Sequence, residues 1–348
     1  MNFHSHSSNF ARNRVDIAYN APMSTKVADM TGQGFAHGIY ALVNPQIGTT
    51  RNGEPFLKCL LRDATGEAIG RLWRFDPATM HDITSTGFVR IEGSQELYQD
   101  KLQIKIGEIW SHDPSASELE ELLPSTDKNT GEMFEEVAAI LQTLSHPAAK
   151  ALADAYLGDD GLMDDFRVAP AAMQIHHAWI GGLLEHTLQL MKLADGMLPN
   201  YPRLNRDIVL LGLFIHDLGK TEELRWDRGF EYTREGNLVG HIARGAIWLE
   251  DKARIAEEKL GEPLPDGFLS VMQHIVLSHH GQLEYGAAKL PATPEAIFVS
   301  QLDTLDAHTQ NALDLARPKM ATLAGDEAFT ERIWSLNTKL YRRDPLSP

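Results

Sequence analysis

The 348-residue chain has one cysteine, Cys59, so it can form neither an intramolecular disulfide framework nor a cysteine-only metal cluster. It also lacks a long apolar run. The most obvious one, residues 208–215, stops at His216 and Asp217, far short of the roughly 20 residues that span a membrane. Positive charge is scarce: 32 Lys and Arg face 48 Asp and Glu, for a formal net charge of −16. That balance argues against a protein that holds nucleic acid by charge alone. The N-terminus is polar and has no apolar core of a secretion signal. A cytoplasmic protein with no membrane partner is the expectation. What the chain does have is a globular balance, 43% hydrophobic and 23% charged, and 15 histidines.

The acidity is unevenly spread. Residues 34–112 hold 8 basic and 9 acidic side chains, residues 1–33 hold 3 and 2, and residues 113–348 hold 21 and 37. The same boundaries divide the pattern. Residues 1–33 are aperiodic and are expected to form a flexible tail; His4 and His6 there carry no site, and Met23 is an alternative start. Residues 34–112 read as β. Segments 56–62 and 68–73 flank the turn composition Asp63-Ala64-Thr65-Gly66, and segments 88–92 and 102–106 alternate with period two. With 34–43 they make five strands, the count of a small OB-like barrel. Residues 113–130 read as a linker. Residues 131–348 read as helical to the end, with helices near 131–145, 147–157, 170–196, 205–218, 237–259, 266–280 and 294–315, and a short hairpin between Trp226 and Tyr232. The fold class expected is two-domain, β then α.

Eight histidines fall between 176 and 280. The strongest signal is His216-Asp217-Leu218-Gly219-Lys220, at the end of the apolar run, where Gly219 is expected to end the helix in a left-handed conformation. A carboxylate there is satisfied by a metal ion or, were the pair isolated, by a salt bridge at a capped helix end. The pair is not isolated. Ser278-His279-His280-Gly281 repeats the plan. His186 follows Gly181-Gly182, whose glycines permit close helix approach; His241 follows Gly240, and Asp303 lies in another apolar helix. Imidazole mixed with carboxylate suits manganese, iron, cobalt, nickel or zinc, manganese being the first expectation. Asp217 can bridge two ions about 3.5–4 Å apart.

His186, His216-Asp217, His241, His279-His280 and Asp303 follow the order H…HD…H…H(H)…D and so resemble the HD-domain metal-dependent phosphohydrolases. The resemblance implies two divalent ions. His186, His216, Asp217 and Asp303 would surround one; Asp217, His241 and one or both of His279 and His280 would hold the other. A closer resemblance lies in His176-His177-Ala178, Gly181 to His186, Gly236-Asn237-Leu238-Val239-Gly240-His241, Leu277 to Gly286, Lys289-Leu290-Pro291 and Leu302 to Ala307. These are similar to the YhaM-type 3′–5′ exoribonucleases, which join an N-terminal OB-fold to a C-terminal HD domain. That implies hydrolysis of single-stranded RNA from its 3′ end by metal-activated water, with single-stranded DNA as a further substrate. The rival enzyme is an HD-type hydrolase of nucleotides or cyclic dinucleotides with a regulatory barrel. A non-catalytic RNA-binding regulator is disfavoured by the complete ligand set.

Asp217 and Lys220 are the candidate catalytic residues. Lys220 would hold a phosphate oxygen or assist the leaving group; its plainer reading is a cation at a helix C-terminus. In the barrel, one or two of Trp73, Phe75, Phe88 and Tyr98 are expected to be exposed and to stack on bases, worth about 1–3 kcal/mol each in single-strand binders. Arg71 and Arg74, with Arg62, Arg90, Lys101 and Lys105, would track phosphates. Tyr285 and Lys289, in loop 281–294, are expected on the substrate side. At least one of His176 and His177 is expected to be structural or to support the ligands, and His274 to be a core or supporting histidine.

Overall fold

The computed structural model describes residues 24–98, 101–173, 177–226, 230–317, 328–333 and 335–346. Five strands, β1 (Phe35–Thr49), β2 (Pro55–Asp63), β3 (Gly66–Trp73), β4 (Phe88–Tyr98) and β5 (Lys101–His112), close into a barrel in the order β1-β2-β3-β5-β4. Only β3 and β5 run parallel; the other neighbours are antiparallel. This is a five-stranded OB-like barrel. Alternation along the strands sends Tyr40, Leu57, Leu61, Ile91 and Ile104 inward, and Ile83 of α1 (Met80–Thr84) joins them. The β2–β3 turn forms because Asp63 Oδ1 accepts from the amides of Thr65 (2.7 Å) and Gly66 (3.1 Å), an Asx-type turn.

Two expectations fail beside the barrel. The tail predicted through residue 33 does not extend over 24–33. Asp63 Oδ2 accepts from the Val27 amide at 2.8 Å, and Val27 and Met30 are buried in the barrel core. Two apolar residues in a polar stretch are too few to show periodicity. Residues 1–23, with His4, His6 and Met23, lie outside the described residues. The predicted linker, 113–130, contains α2 (Ala116–Leu122), started by a capping box between Ser115 and Glu118. Leu122 and Leu123 pack with Ala41 and Phe88 of the barrel and with Ile180. Glu185 then accepts from Thr126 Oγ1 (2.7 Å) and Trp179 Nε1 (2.9 Å), which ties the connector to the next domain.

That domain comprises α3 (Thr130–Gln142), α4 (Pro147–Leu157), α5 (Asp160–Val168), α6 (Gly182–Met197), α7 (Arg206–Ile215), α8 (Lys220–Glu223), α9 (Arg234–Leu238), α10 (Gly240–Leu260), α11 (Phe268–Ser278) and α12 (Pro294–Ala316). A two-stranded ribbon, β6 (Leu224–Arg225) with β7 (Glu231–Tyr232), supplies the expected hairpin. Helix α7 is the centre of the core: Val209, Leu210, Leu211, Leu213, Phe214 and Ile215 are all buried, and α6, α11 and α12 pack around it. Three expectations need correction. The helix predicted over 170–196 begins only at Gly182, because Gly181 is left-handed (φ 78°) and the described residues before it, 170–173 and 177–180, are not helical. Helix α5, begun by the Asp159 cap, had no apolar run to announce it. The described residues after α12 are not helical; they hold isolated bridges, Phe329 to Tyr341 and Ile333 to Thr338.

Candidate metal centre

Five elements converge on one buried point. His186 comes from the second turn of α6, His216 and Asp217 follow α7, and His241 sits in the first turn of α10. His279 and His280 follow α11, and Asp303 lies midway along α12. Asp217, only 2% exposed, faces two histidine groups. Its Oδ2 lies 3.3 Å from His216 Nε2 and 3.8 Å from His186 Nε2; its Oδ1 lies 3.3 Å from His279 Nε2 and 3.5 Å from His241 Nε2. Asp303 Oδ1 is 3.2 Å from His186 Nε2 and 4.0 Å from His216 Nε2.

Despite these distances, His216 Nε2, Asp217 Oδ1, His241 Nε2 and His279 Nε2 are buried and find no aligned hydrogen-bond partner among the described residues. Each such atom costs about 1–3 kcal/mol if left unsatisfied. Four of them aimed at a common space fit a cation. The donors fall into two sets whose ligand atoms lie within 4.8 Å of one another: His186, His216 and Asp303, and Asp217, His241, His279 and His280. Both His279 and His280 therefore stand with Asp217, where the sequence left the choice open.

The imidazoles are oriented from behind. Nδ1–H of His216 donates to the Leu213 carbonyl (2.7 Å), of His279 to Val276 (2.8 Å) and of His280 to Tyr285 (2.7 Å). Nδ1–H of His186 donates to Asp306 Oδ2 (2.7 Å), and that of His241 to Glu223 Oε2 (2.8 Å). With Nδ1 so engaged, Nε2 is the atom left to ligate a metal ion. Burial and neighbouring imidazoles lower His279 and push His280 down to about 3, so both are neutral near pH 7. His186 goes the other way: burial opposes its charge, but Asp303 and Asp306 outweigh burial and raise it to about 9. Burial would raise Asp217; Lys220 and His216 more than offset it and hold the carboxyl well below its usual range.

The surrounding sequence serves this geometry, though not always as expected. Gly281 is left-handed (φ 75°), but Gly219 is right-handed (φ −59°). Gly219 is required for another reason: a Cβ there would lie 2.3 Å from the His241 carbonyl oxygen. The Gly181-Gly182 pair admits a loop rather than a helix, since a Cβ on Gly182 would lie 2.0 Å from the His177 carbonyl. Lys220 opens α8 instead of ending a helix, and its Nζ lies 2.7 Å from Asp217 Oδ2. His177 is buried against Asp306, and His274 Nε2 accepts from the Ala292 amide; His176 lies outside the described residues. Asp306 and Glu223 were missed as parts of the site, whereas a structural or supporting role was expected for at least one of His176 and His177. Asp306 was the more readable of the two missed, three residues beyond Asp303 and so on the same helix face.

On the barrel, Trp73 and Tyr98 are exposed (39% and 53%), while Phe75 and Phe88 are core residues. The Arg71 guanidinium lies 5.9 Å from the Trp73 ring and 5.7 Å from Tyr98, and Phe56 packs 5.0 Å from Trp73. Lys58, Arg71 and Lys105 are in register across β2, β3 and β5. Arg74 is exposed at the end of β3, away from that row. Tyr285 and Lys289 are exposed on the loop after α11, which returns to the centre through the His280–Tyr285 bond and the Lys289 amide on the Leu277 carbonyl (3.1 Å). Among the described residues no helix is long and apolar enough to cross a membrane.

Residues 183–308 match the HD domain family, a stretch that contains every candidate ligand of the centre. HD domains depend on divalent metal, and the donor set described here fits that requirement. The 3′-5′ exoribonuclease YhaM of Listeria innocua serovar 6a is 32% identical over 308 residues, 87% of this chain and 93% of its own. The YhaM of Geobacillus sp. (strain WCH70) is 33% identical over 295 residues, 84% of this chain and 87% of its own. Among solved structures, the second OB-fold domain of replication protein A from Methanococcus maripaludis aligns over 27% of this chain and 98% of its own, with 19% identity and a TM-score of 0.19. With nearly the whole length of such relatives matched, this chain belongs to the YhaM family of 3′–5′ exoribonucleases.

Proposed function

We infer that the protein is a metal-dependent 3′–5′ exoribonuclease that shortens single-stranded RNA, and single-stranded DNA as a second substrate, in the cytoplasm. The observation that carries the reading is Asp217, whose two oxygens face two sets of inward-pointing imidazoles in a chain of this family. His186, His216, Asp217 and Asp303 would hold one divalent ion and Asp217, His241, His279 and His280 a second, with manganese taken as the first choice and cobalt, iron, nickel or zinc, all compatible with imidazole and carboxylate, as the alternatives. Bound there, such ions lower the pKa of a water and offset the charge that builds on the reacting phosphate.

The chain's own side chains do the rest. The Nδ1 bonds hold each imidazole in one tautomer and direction. Lys220, held on Asp217, presents its ammonium where a phosphate oxygen would approach. The 34–112 barrel is the nucleic-acid-binding domain: Trp73 and Tyr98 offer rings to bases, and Arg71 and Arg74, with Lys58 and Lys105, offer charge to phosphates. The 131–348 domain is the hydrolase, and Tyr285 and Lys289 extend its substrate side. Incubation with single-stranded RNA, mononucleotides and cyclic dinucleotides tests the reading. RNA shortened one nucleotide at a time is expected. Turnover of the small phosphates with RNA left intact would replace it by a small-phosphoester hydrolase with a regulatory barrel.

A further inference from the structure

The five inward-pointing histidines are not backed alike. His216, His279 and His280 donate Nδ1–H to main-chain carbonyls, whereas His186 and His241 donate to carboxylates. Each carboxylate-backed histidine belongs to a different donor set, His186 with His216 and Asp303, and His241 with Asp217, His279 and His280.

Both carboxylates are firmly held. Asp306, 3% exposed, accepts from His186 Nδ1 (2.7 Å) and His177 Nε2 (3.1 Å) on Oδ2 and from Gln189 Nε2 (2.6 Å) on Oδ1. His177, His186 and Asp306 lie close enough to suggest a third ion site. The three bonds already accepted by Asp306, and the carboxylate-facing Nδ1 of His186, argue for a hydrogen-bonded support instead. Glu223 grips His241 twice, its Oε2 on Nδ1 (2.8 Å) and its Oε1 on the His241 amide (3.1 Å). An ionised acceptor makes a stronger bond than a carbonyl and leaves the opposite ring nitrogen a better ligand.

We propose that Asp306 and Glu223 are positioning residues that each strengthen one of the two ion sites, Asp306 through His186 and Glu223 through His241. The proposal rests on the two-ion reading. It is tested on full-length, metal-depleted protein titrated with Mn²⁺ by calorimetry and with Co²⁺ by visible absorption, using Asp306→Asn and Glu223→Gln. Wild-type protein is expected to bind two ions. Each variant is expected to keep one at wild-type affinity and to bind the other about 10–100-fold more weakly, with a changed Co²⁺ spectrum for that ion only and an unchanged melting temperature without metal. In a His279→Ala background, which leaves the first site, Asp306→Asn should weaken the remaining ion and Glu223→Gln should not. Two ions in the wild type with unchanged affinities in both variants would overturn this proposal alone. So would equal weakening of both ions together with a lowered metal-free melting temperature, which would mark a structural role. Fewer than two ions in the wild type would overturn the two-ion reading and this proposal with it.

Discussion

A carboxylate as buried as Asp217 is tolerated because the Lys220 ammonium lies 2.7 Å from one oxygen and imidazole nitrogens lie 3.3 Å from both. As the side chain whose two oxygens face both histidine groups, it should matter more than any single histidine. Asp217→Ala is expected to lower RNA hydrolysis by more than the roughly 10–100-fold that loss of a supporting group costs, and to strip bound metal while helicity by circular dichroism stays intact. Near-normal activity and metal content would remove the shared-ligand role. His186 gives a second expectation at this scale. Raised to about 9 in the metal-free protein, it carries a proton at pH 7.5, and ligation through Nε2 must expel that proton. Metal binding should therefore release close to one proton per chain from this residue, fading as pH rises through 9. Calorimetry in buffers of different ionisation enthalpy reads it directly; a binding enthalpy independent of buffer would contradict it.

At the scale of elements, most of the centre is built at helix ends, and close approach sets them. Gly219 lets the turn after α7 lie against the start of α10, with no room for a Cβ beside the His241 carbonyl. Gly219→Ala is expected to cost about 1–3 kcal/mol, the usual range for overpacking, seen in urea unfolding, and to weaken metal binding through displaced His241. Unchanged stability and affinity would mean that the contact relaxes freely. Six of the seven candidate ligands were legible because each follows or interrupts an apolar helical run, His241 because it follows Gly240 at a helix start, and the barrel because 88–92 and 102–106 alternate with period two. Less legible were features without a run of their own: α5, the 24–33 segment pinned through Asp63, and α2, whose seven residues looked like a polar linker. Asp306 and Glu223 escaped because a carboxylate on a helix reads as a solvated charge until the fold brings a histidine to it.

For the whole molecule, charge divides the labour. The −16 carried by residues 113–348 would repel a polyanion except where metal ions were bound, and on the proposed reading grip on a long strand would fall to the nearly neutral barrel. A truncation at 113 would uncover Leu122 and Leu123, so substitutions on the barrel face are the cleaner probe. Trp73→Ala should weaken single-stranded RNA binding by about 1–3 kcal/mol. Replacing Lys58, Arg71 and Lys105 together by Ala should flatten the slope of log affinity against log salt by about 2, at roughly 0.7 per phosphate contact. Both sets should leave metal content unchanged. Equal affinity and slope in the variants would mean that the barrel does not deliver substrate. The most direct test of the central claim uses 5′-end-labelled single-stranded RNA with metal-depleted protein, each divalent metal being returned separately. The account predicts no cleavage until metal is restored, strongest with Mn²⁺, and then a ladder of products that keep the 5′ label and shorten from the 3′ end. Cleavage undiminished by metal removal, or a labelled mononucleotide as the first product, would contradict it.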